Sequence, residues 1–129
     1  LIMEVAKGDK QFVPIYGNNY PTKDGTGVRD YVHVTDLAIV HIRALEYLRR
    51  NSKDVILNLG FETGFSILEI LEKTKHVLNI DIPYQIEERR KGDVVKIVSN
   101  CSLEEDILKW EKKYSGLEIT LQSTWDIYN

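Results

Sequence analysis

The stretch from Asp36 to Gly60 limits the possible folds more than any other part of this sequence. A helix is predicted over residues 36–50, capped by Thr35 or Asp36. On it Asp36, Arg43, Glu46 and Arg50 form one narrow polar stripe. Leu37, Ala38, Ile39, Val40, Ile42, Ala44, Leu45, Tyr47 and Leu48 cover most of the remaining circumference, so this helix is expected to be buried on more than one side. A strand is predicted next over residues 55–60, Val55-Ile56-Leu57-Asn58-Leu59-Gly60, of the apolar kind that lies inside a parallel sheet with both faces covered. A chain of 129 residues has room for one domain and little to spare for covering both elements, which predicts a missing partner. Leu1 to Gly8 reads as the last two turns of a helix closed by a glycine with nothing to start it, as in a piece of a longer chain.

The remaining elements mix strands with helices, giving a small mixed α/β class. Gln11 to Tyr16 suits a short strand that Pro14 confines to an edge. Residues 17–27 are dense in turn chemistry and form a loop, and Val28 to Val34 suits a second strand. Ser66 and Glu69 form a capping box for a helix that puts Ile67, Ile70, Leu71, Thr74, Val77 and Leu78 on one face. Pro83 to Arg90 alternates as a half-buried strand does, and a turn at Lys91-Gly92 leads into a strand over Val94 to Val98. Two short helices close the chain, with capping boxes expected from Ser102 with Glu105 and from Ser115 with Glu118.

Charge and cysteine usage narrow the function. With 17 basic and 20 acidic residues the formal charge is -3, and no basic run is long enough to track a phosphate backbone, which disfavours nucleic acid. The single cysteine, Cys101, cannot form an internal disulfide and stands in no metal-ligand pattern, which suits a reducing, cytoplasmic setting. No apolar stretch is long enough to span a bilayer.

Two arginines stand out by context. Arg29 follows the glycine loop Asp24-Gly25-Thr26-Gly27, and Arg90 sits at a strand end before Lys91-Gly92-Asp93. Guanidinium forks bind phosphate in bidentate fashion, and two converging forks would suit a diphosphate. The alternative is that both are solvated or paired with local acids such as Asp30 or Glu88. Asp93 has the chemistry to accept two hydrogen bonds from vicinal hydroxyls, or to be an ordinary turn aspartate. Tyr16 is placed to stack on a planar base, or to pack at a core rim. His33, before a helix start, reads as a histidine bonded to nearby backbone. Gly25-Thr26-Gly27 lacks the third glycine of a dinucleotide fingerprint and opens no helix, and there is no Tyr-x-x-x-Lys pair, nucleophile elbow or P-loop.

The run Tyr16-Gly17-Asn18-Asn19-Tyr20-Pro21-Thr22-Lys23-Asp24-Gly25-Thr26-Gly27-Val28-Arg29-Asp30-Tyr31-Val32-His33-Val34-Thr35-Asp36-Leu37-Ala38 resembles the carboxyl-terminal portion of the UDP-glucose 4-epimerases, which are extended short-chain dehydrogenases/reductases. The likeness continues in Asn58-Leu59-Gly60 and in Arg89-Arg90-Lys91-Gly92-Asp93 and covers essentially the whole chain. It implies that residues 1–129 are a substrate-binding domain, with an N-terminal NAD-binding Rossmann domain absent from this chain. It also implies that helix 36–50 and strand 55–60 pack on that missing domain.

Carried over from that resemblance, Tyr16 lies beside uracil, Arg29 and Arg90 hold the diphosphate, and Asp93 holds the uridine ribose. Val13, Pro14 and Ile15 line the uracil pocket, Ile67 is a further apolar neighbour of the nucleotide, and Ile97 stands where bulk influences the fit of an N-acetyl group. The implied reaction interconverts UDP-glucose and UDP-galactose by hydride transfer between sugar C4 and NAD through a 4-keto intermediate. The base that it needs is not in this chain, which is expected to be inactive alone, and the parent enzyme is expected to be a homodimer. Two other readings stay open: an epimerase of another nucleotide sugar such as a UDP-N-acetylhexosamine, and a non-catalytic nucleotide-binding or interaction module.

Overall fold

The computed structural model describes the backbone of all 129 residues and the side chains of all but residues 104 and 105. Helix α1 (Ile2–Lys7) ends at Gly8 and leads to strand β1 (Val13–Tyr16). Strand β2 (Val28–Asp30), helix α2 (Val34–Asn51), strand β3 (Gly64–Ser66) and helix α3 (Ile67–Leu78) follow. Strands β4 (Tyr84–Glu87) and β5 (Lys96–Ile97) and helices α4 (Ser102–Leu108) and α5 (Leu117–Tyr128) complete a mixed α/β fold. β1 and β4 form a parallel two-stranded sheet, so Pro14 does sit on an edge. In the second sheet β2 is central, antiparallel to β3 and parallel to β5.

Period-2 burial on β1 sends Val13 and Ile15 inward against Val5, Leu71 and Ile82. Met3, Ile70, Leu117 and Leu121 join α1, α3 and α5 in a second cluster. Each such aliphatic side chain gains about 1.5–3 kcal/mol on full burial, enough to lock α3 behind the β1–β4 sheet. α3 begins as its sequence predicts: Ser66 Oγ accepts from the Glu69 N–H at 3.1 Å, and the Glu69 carboxylate accepts from the Ser66 N–H at 2.9 Å.

Four expectations are corrected. Residues 55–60 form no strand; they pack beside α2, with Leu57 and Leu59 against the cluster of Val40, Leu108 and Trp110, while Ile56 is 93% exposed. Among the described residues no strand pairs with this segment, and its apolar run is covered on one side only. α2 buries one side against this segment and leaves Ile42 58% and Leu45 61% exposed on the other, the face for which the sequence predicts a partner outside this chain. β4 is exposed along its whole length instead of half-buried, since its two-stranded sheet is backed by α1 and α3 under β1. α2 is capped by His33, whose Nδ1 accepts from the Thr35 N–H at 3.1 Å, and not by Thr35 or Asp36.

The Ser115–Glu118 box does not form either. Gly116 is the N-cap of α5, Ser115 Oγ donates to the Asp36 carboxylate at 2.7 Å, and Glu118 pairs with Lys73 at 2.8 Å. The box expected from Ser102 and Glu105 depends on a side chain outside the described residues; Cys101 is the N-cap of α4.

Candidate functional site

Two strand ends and one crossing segment build the site. β1 delivers Tyr16 at its end, in register with Glu87 of β4, and the Gly17 N–H donates to the Glu87 carbonyl at 3.0 Å. β2 holds Arg29 in register with Ile97 of β5, and the Val28 N–H donates to the Val95 carbonyl at 2.9 Å. Residues 88–95 leave the first sheet and enter the second, so both ends of this crossing are tied down. The crossing carries Arg90 and Asp93, with a turn between them in which the Asp93 N–H donates to the Arg90 carbonyl at 3.3 Å.

A cavity of about 390 Å³ opens between these parts, within the range of sites for small ligands. Val13, Pro14, Ile15 and Tyr16 line it from β1, Arg29 from β2, Ile67 from α3, and Arg90 and Asp93 from the crossing. The structure thus brings together every site residue expected from the sequence except Ile97. That residue is on β5, 53% exposed and outside the cavity lining. Leu1, Ile2, Tyr20 and Gly27 also line the cavity and were not anticipated. Tyr20 lay hidden among turn formers; its clue was an aromatic between Asn19 and Pro21, where solvated loops have little use for one.

The loop behind Arg29 is held from within. The Asp24 carboxylate accepts from the Thr26 N–H at 2.9 Å, from Thr26 Oγ1 at 2.8 Å and from Ser66 Oγ, which fastens the loop to the start of α3. Burial pushes the Asp24 carboxyl up, but the bonds from Ser66 and Thr26 outweigh it and hold the group below its ordinary value. Gly25 at φ 81° closes the loop, where the Tyr20 N–H donates to the Gly25 carbonyl at 2.9 Å.

Among the described residues neither cavity arginine forms an ion pair. Asp30 is committed elsewhere, accepting from the N–H groups of Phe61 at 2.9 Å, Glu62 at 3.3 Å and Ser99 at 3.1 Å. Arg29 Nη1 donates to the Val28 carbonyl at 2.8 Å, and the Arg90 guanidinium lies 3.5 Å from the centroid of the Tyr16 ring. Both forks keep most of their donors for a ligand. The lining among the described residues has no histidine, lysine, serine, threonine or cysteine, so its chemistry is that of holding an anion beside an aromatic ring and a carboxylate. His33 belongs to a separate network: Nδ1 accepts from Thr35, which leaves Nε2 to donate to Ser123 Oγ at 2.8 Å. Among the described residues no cluster suits a metal ion. Among the described residues no helix is long and apolar enough to cross a membrane.

A sequence model described as GDP-mannose 4,6 dehydratase matches residues 1–122. The chain belongs to that family. Among curated members, the UDP-glucose 4-epimerase of Lacticaseibacillus casei is 42% identical over 126 residues, and the human UDP-glucose 4-epimerase is 40% identical over 124. These alignments take in 98% and 96% of this chain but only 38% and 35% of the relatives, so the chain spans little more than a third of their length. Among solved structures of the family, a UDP-glucose 4-epimerase from Stenotrophomonas maltophila, with NAD and a formylated UDP-arabinopyranose bound, superimposes with a TM-score of 0.95 at 37% identity over 98% of this chain and 38% of its own. A Bifidobacterium longum UDP-glucose 4-epimerase in complex with NAD+ and UDP gives 0.88 at 34% identity over 99% of this chain and 38% of its own.

Proposed function

We propose that this chain is the UDP-sugar-binding part of an NAD-dependent UDP-glucose 4-epimerase that interconverts UDP-glucose and UDP-galactose. The observation that carries this reading is the meeting of Arg29, Arg90, Tyr16 and Asp93 on one cavity. Two guanidinium forks suit a diphosphate, the aromatic edge of β1 suits uracil, and the Asp93 carboxylate suits the ribose hydroxyls. UDP or a UDP-sugar is bound in both structural neighbours described above, which supports this assignment.

NAD does not fit the residues of this chain. Gly25-Thr26-Gly27 runs into strand β2 and opens no helix, and the Thr26 N–H that could face a phosphate is taken by Asp24. In this reading NAD and the residues that move hydride and proton belong to the rest of the parent protein, on a Rossmann domain that covers the outer face of α2. This chain binds and orients the UDP moiety and is inactive by itself. A second reading, an epimerase of another UDP-sugar, is favoured by the formylated UDP-arabinopyranose of the Stenotrophomonas neighbour.

Calorimetric titration of the chain with UDP tests the site. Binding is expected, and Arg29→Ala and Arg90→Ala should each lose about 2 kcal/mol, or roughly thirtyfold in affinity. A chain with a native far-UV spectrum that binds no UDP would contradict the reading.

A further inference from the structure

Arg89 is next to Arg90 in sequence but does not line the cavity, and nothing above assigns it a task. Its guanidinium lies 4.0 Å from the centroid of the Tyr20 ring, close enough for a cation–π contact. Its Nη2 reaches toward the Asp93 carbonyl at 3.4 Å. Its aliphatic stem passes Gly17 so closely that a Cβ there would lie 3.2 Å from Arg89 Cβ and 2.9 Å from the Tyr20 ring. Gly17 is therefore pinched between ring and stem, at a φ of 88° that only glycine adopts without strain. Tyr20 itself is 5% exposed, lines the cavity and is bonded through its N–H to the Gly25 carbonyl.

The two adjacent arginines thus stack on two tyrosines on either side of Gly17: Arg90 on Tyr16 at the end of β1, and Arg89 on Tyr20 in the loop. Their surroundings differ. Arg90 faces the cavity, where a ligand can draw it off the ring. Arg89 faces the loop, where Tyr20, Gly17 and the Asp93 carbonyl hold it together. We propose that Arg89 is a positioning residue whose stack on Tyr20 joins the 17–27 loop to the 88–95 crossing, and so sets Arg90 and Asp93 at the cavity for a nucleoside diphosphate. The role rests on the proposed UDP site for its ligand, and on contacts within this chain for its mechanics.

Two measurements separate these parts. In hydrogen exchange on the 129-residue chain without ligand, Arg89→Ala should speed exchange at the Tyr20 and Asp93 amides together, while α3 and α5 stay as protected as in the parent chain. Unchanged exchange at either amide would overturn the junction. In UDP titration, Arg89→Ala and Tyr20→Leu should each weaken affinity roughly tenfold, the size expected for losing a partly desolvated cation–π contact. Tyr20→Phe, which keeps the ring, should restore affinity to within about twofold on the same scale. Equal weakening by Tyr20→Phe and Tyr20→Leu, or unchanged affinity in Arg89→Ala, would overturn the positioning role. Coupled exchange in a chain that binds no UDP would uphold the junction and overturn the nucleotide site instead.

Discussion

Asp24 and Asp36 are short acids whose oxygens replace missing backbone partners. Asp36 is fully buried and accepts from the N–H groups of Lys113 at 3.2 Å and Tyr114 at 2.9 Å, as well as from Ser115 Oγ. Burial pushes its carboxyl up, yet the bonds from Ser115, Tyr114 and Lys113 outweigh burial, and both aspartates are held below their ordinary value of 3.8. An acid with a lower pKa folded than unfolded binds fewer protons in the native state. Its contribution to stability is complete above the ordinary value and is lost as pH falls through the lower folded value. Acid unfolding followed by far-UV circular dichroism should therefore steepen below about pH 4, and Asp36→Asn, less stable at pH 7, should show a shallower dependence there. The sequence placed Asp36 on a narrow polar stripe or at the helix cap, because its partners lie 77 to 79 positions away, where no local pattern can register them. Arg29, Arg90 and Asp93 were legible as candidates through their neighbours, but only the parallel registers of β1 with β4 and β2 with β5 bring them to one cavity.

Whether a local pattern survives at the level of elements depends on what else its side chains can reach. Ser66 keeps its capping box because its second bond, to Asp24, strengthens the same geometry. Ser66→Ala should cost about 1 kcal/mol from the cap alone, and more once Asp24 loses a donor. The melting temperature should fall further than in Glu69→Ala, which removes only one arm of the box. Ser115 carries the same short pattern, but its hydroxyl goes to buried Asp36, and Gly116 starts α5 in its place. Residues 55–60 failed as a strand for a related reason. Apolar runs of that length do not distinguish a sheet interior from an irregular segment packed on a helix, and here α2 and Trp110 supply the packing. Gly17→Ala combines positive φ with contact against Tyr20 and Arg89, so it should weaken UDP binding with little loss of α3 and α5 helicity.

Taken whole, the chain buries one side of α2 and leaves the other to solvent. Leu37, Ile42, Leu45 and Leu48 are all at least 36% exposed, a contiguous apolar face of the kind that seeks a partner. Alone in solution the chain should associate in a concentration-dependent way, visible in sedimentation velocity, and Ile42→Lys with Leu45→Glu should suppress it while UDP binding is retained. In the proposed reading, this exposed face is where the rest of the parent protein sits. The site itself differs in kind from that face: it lies between the two sheets, with Arg29, Arg90 and Asp93 set in a mainly apolar lining. The most direct test of a diphosphate held by two guanidinium groups compares UDP with uridine on the same protein. The chain should prefer UDP strongly, and the Arg29→Ala, Arg90→Ala double variant should bind the two alike; a double variant that keeps the full preference would contradict the account.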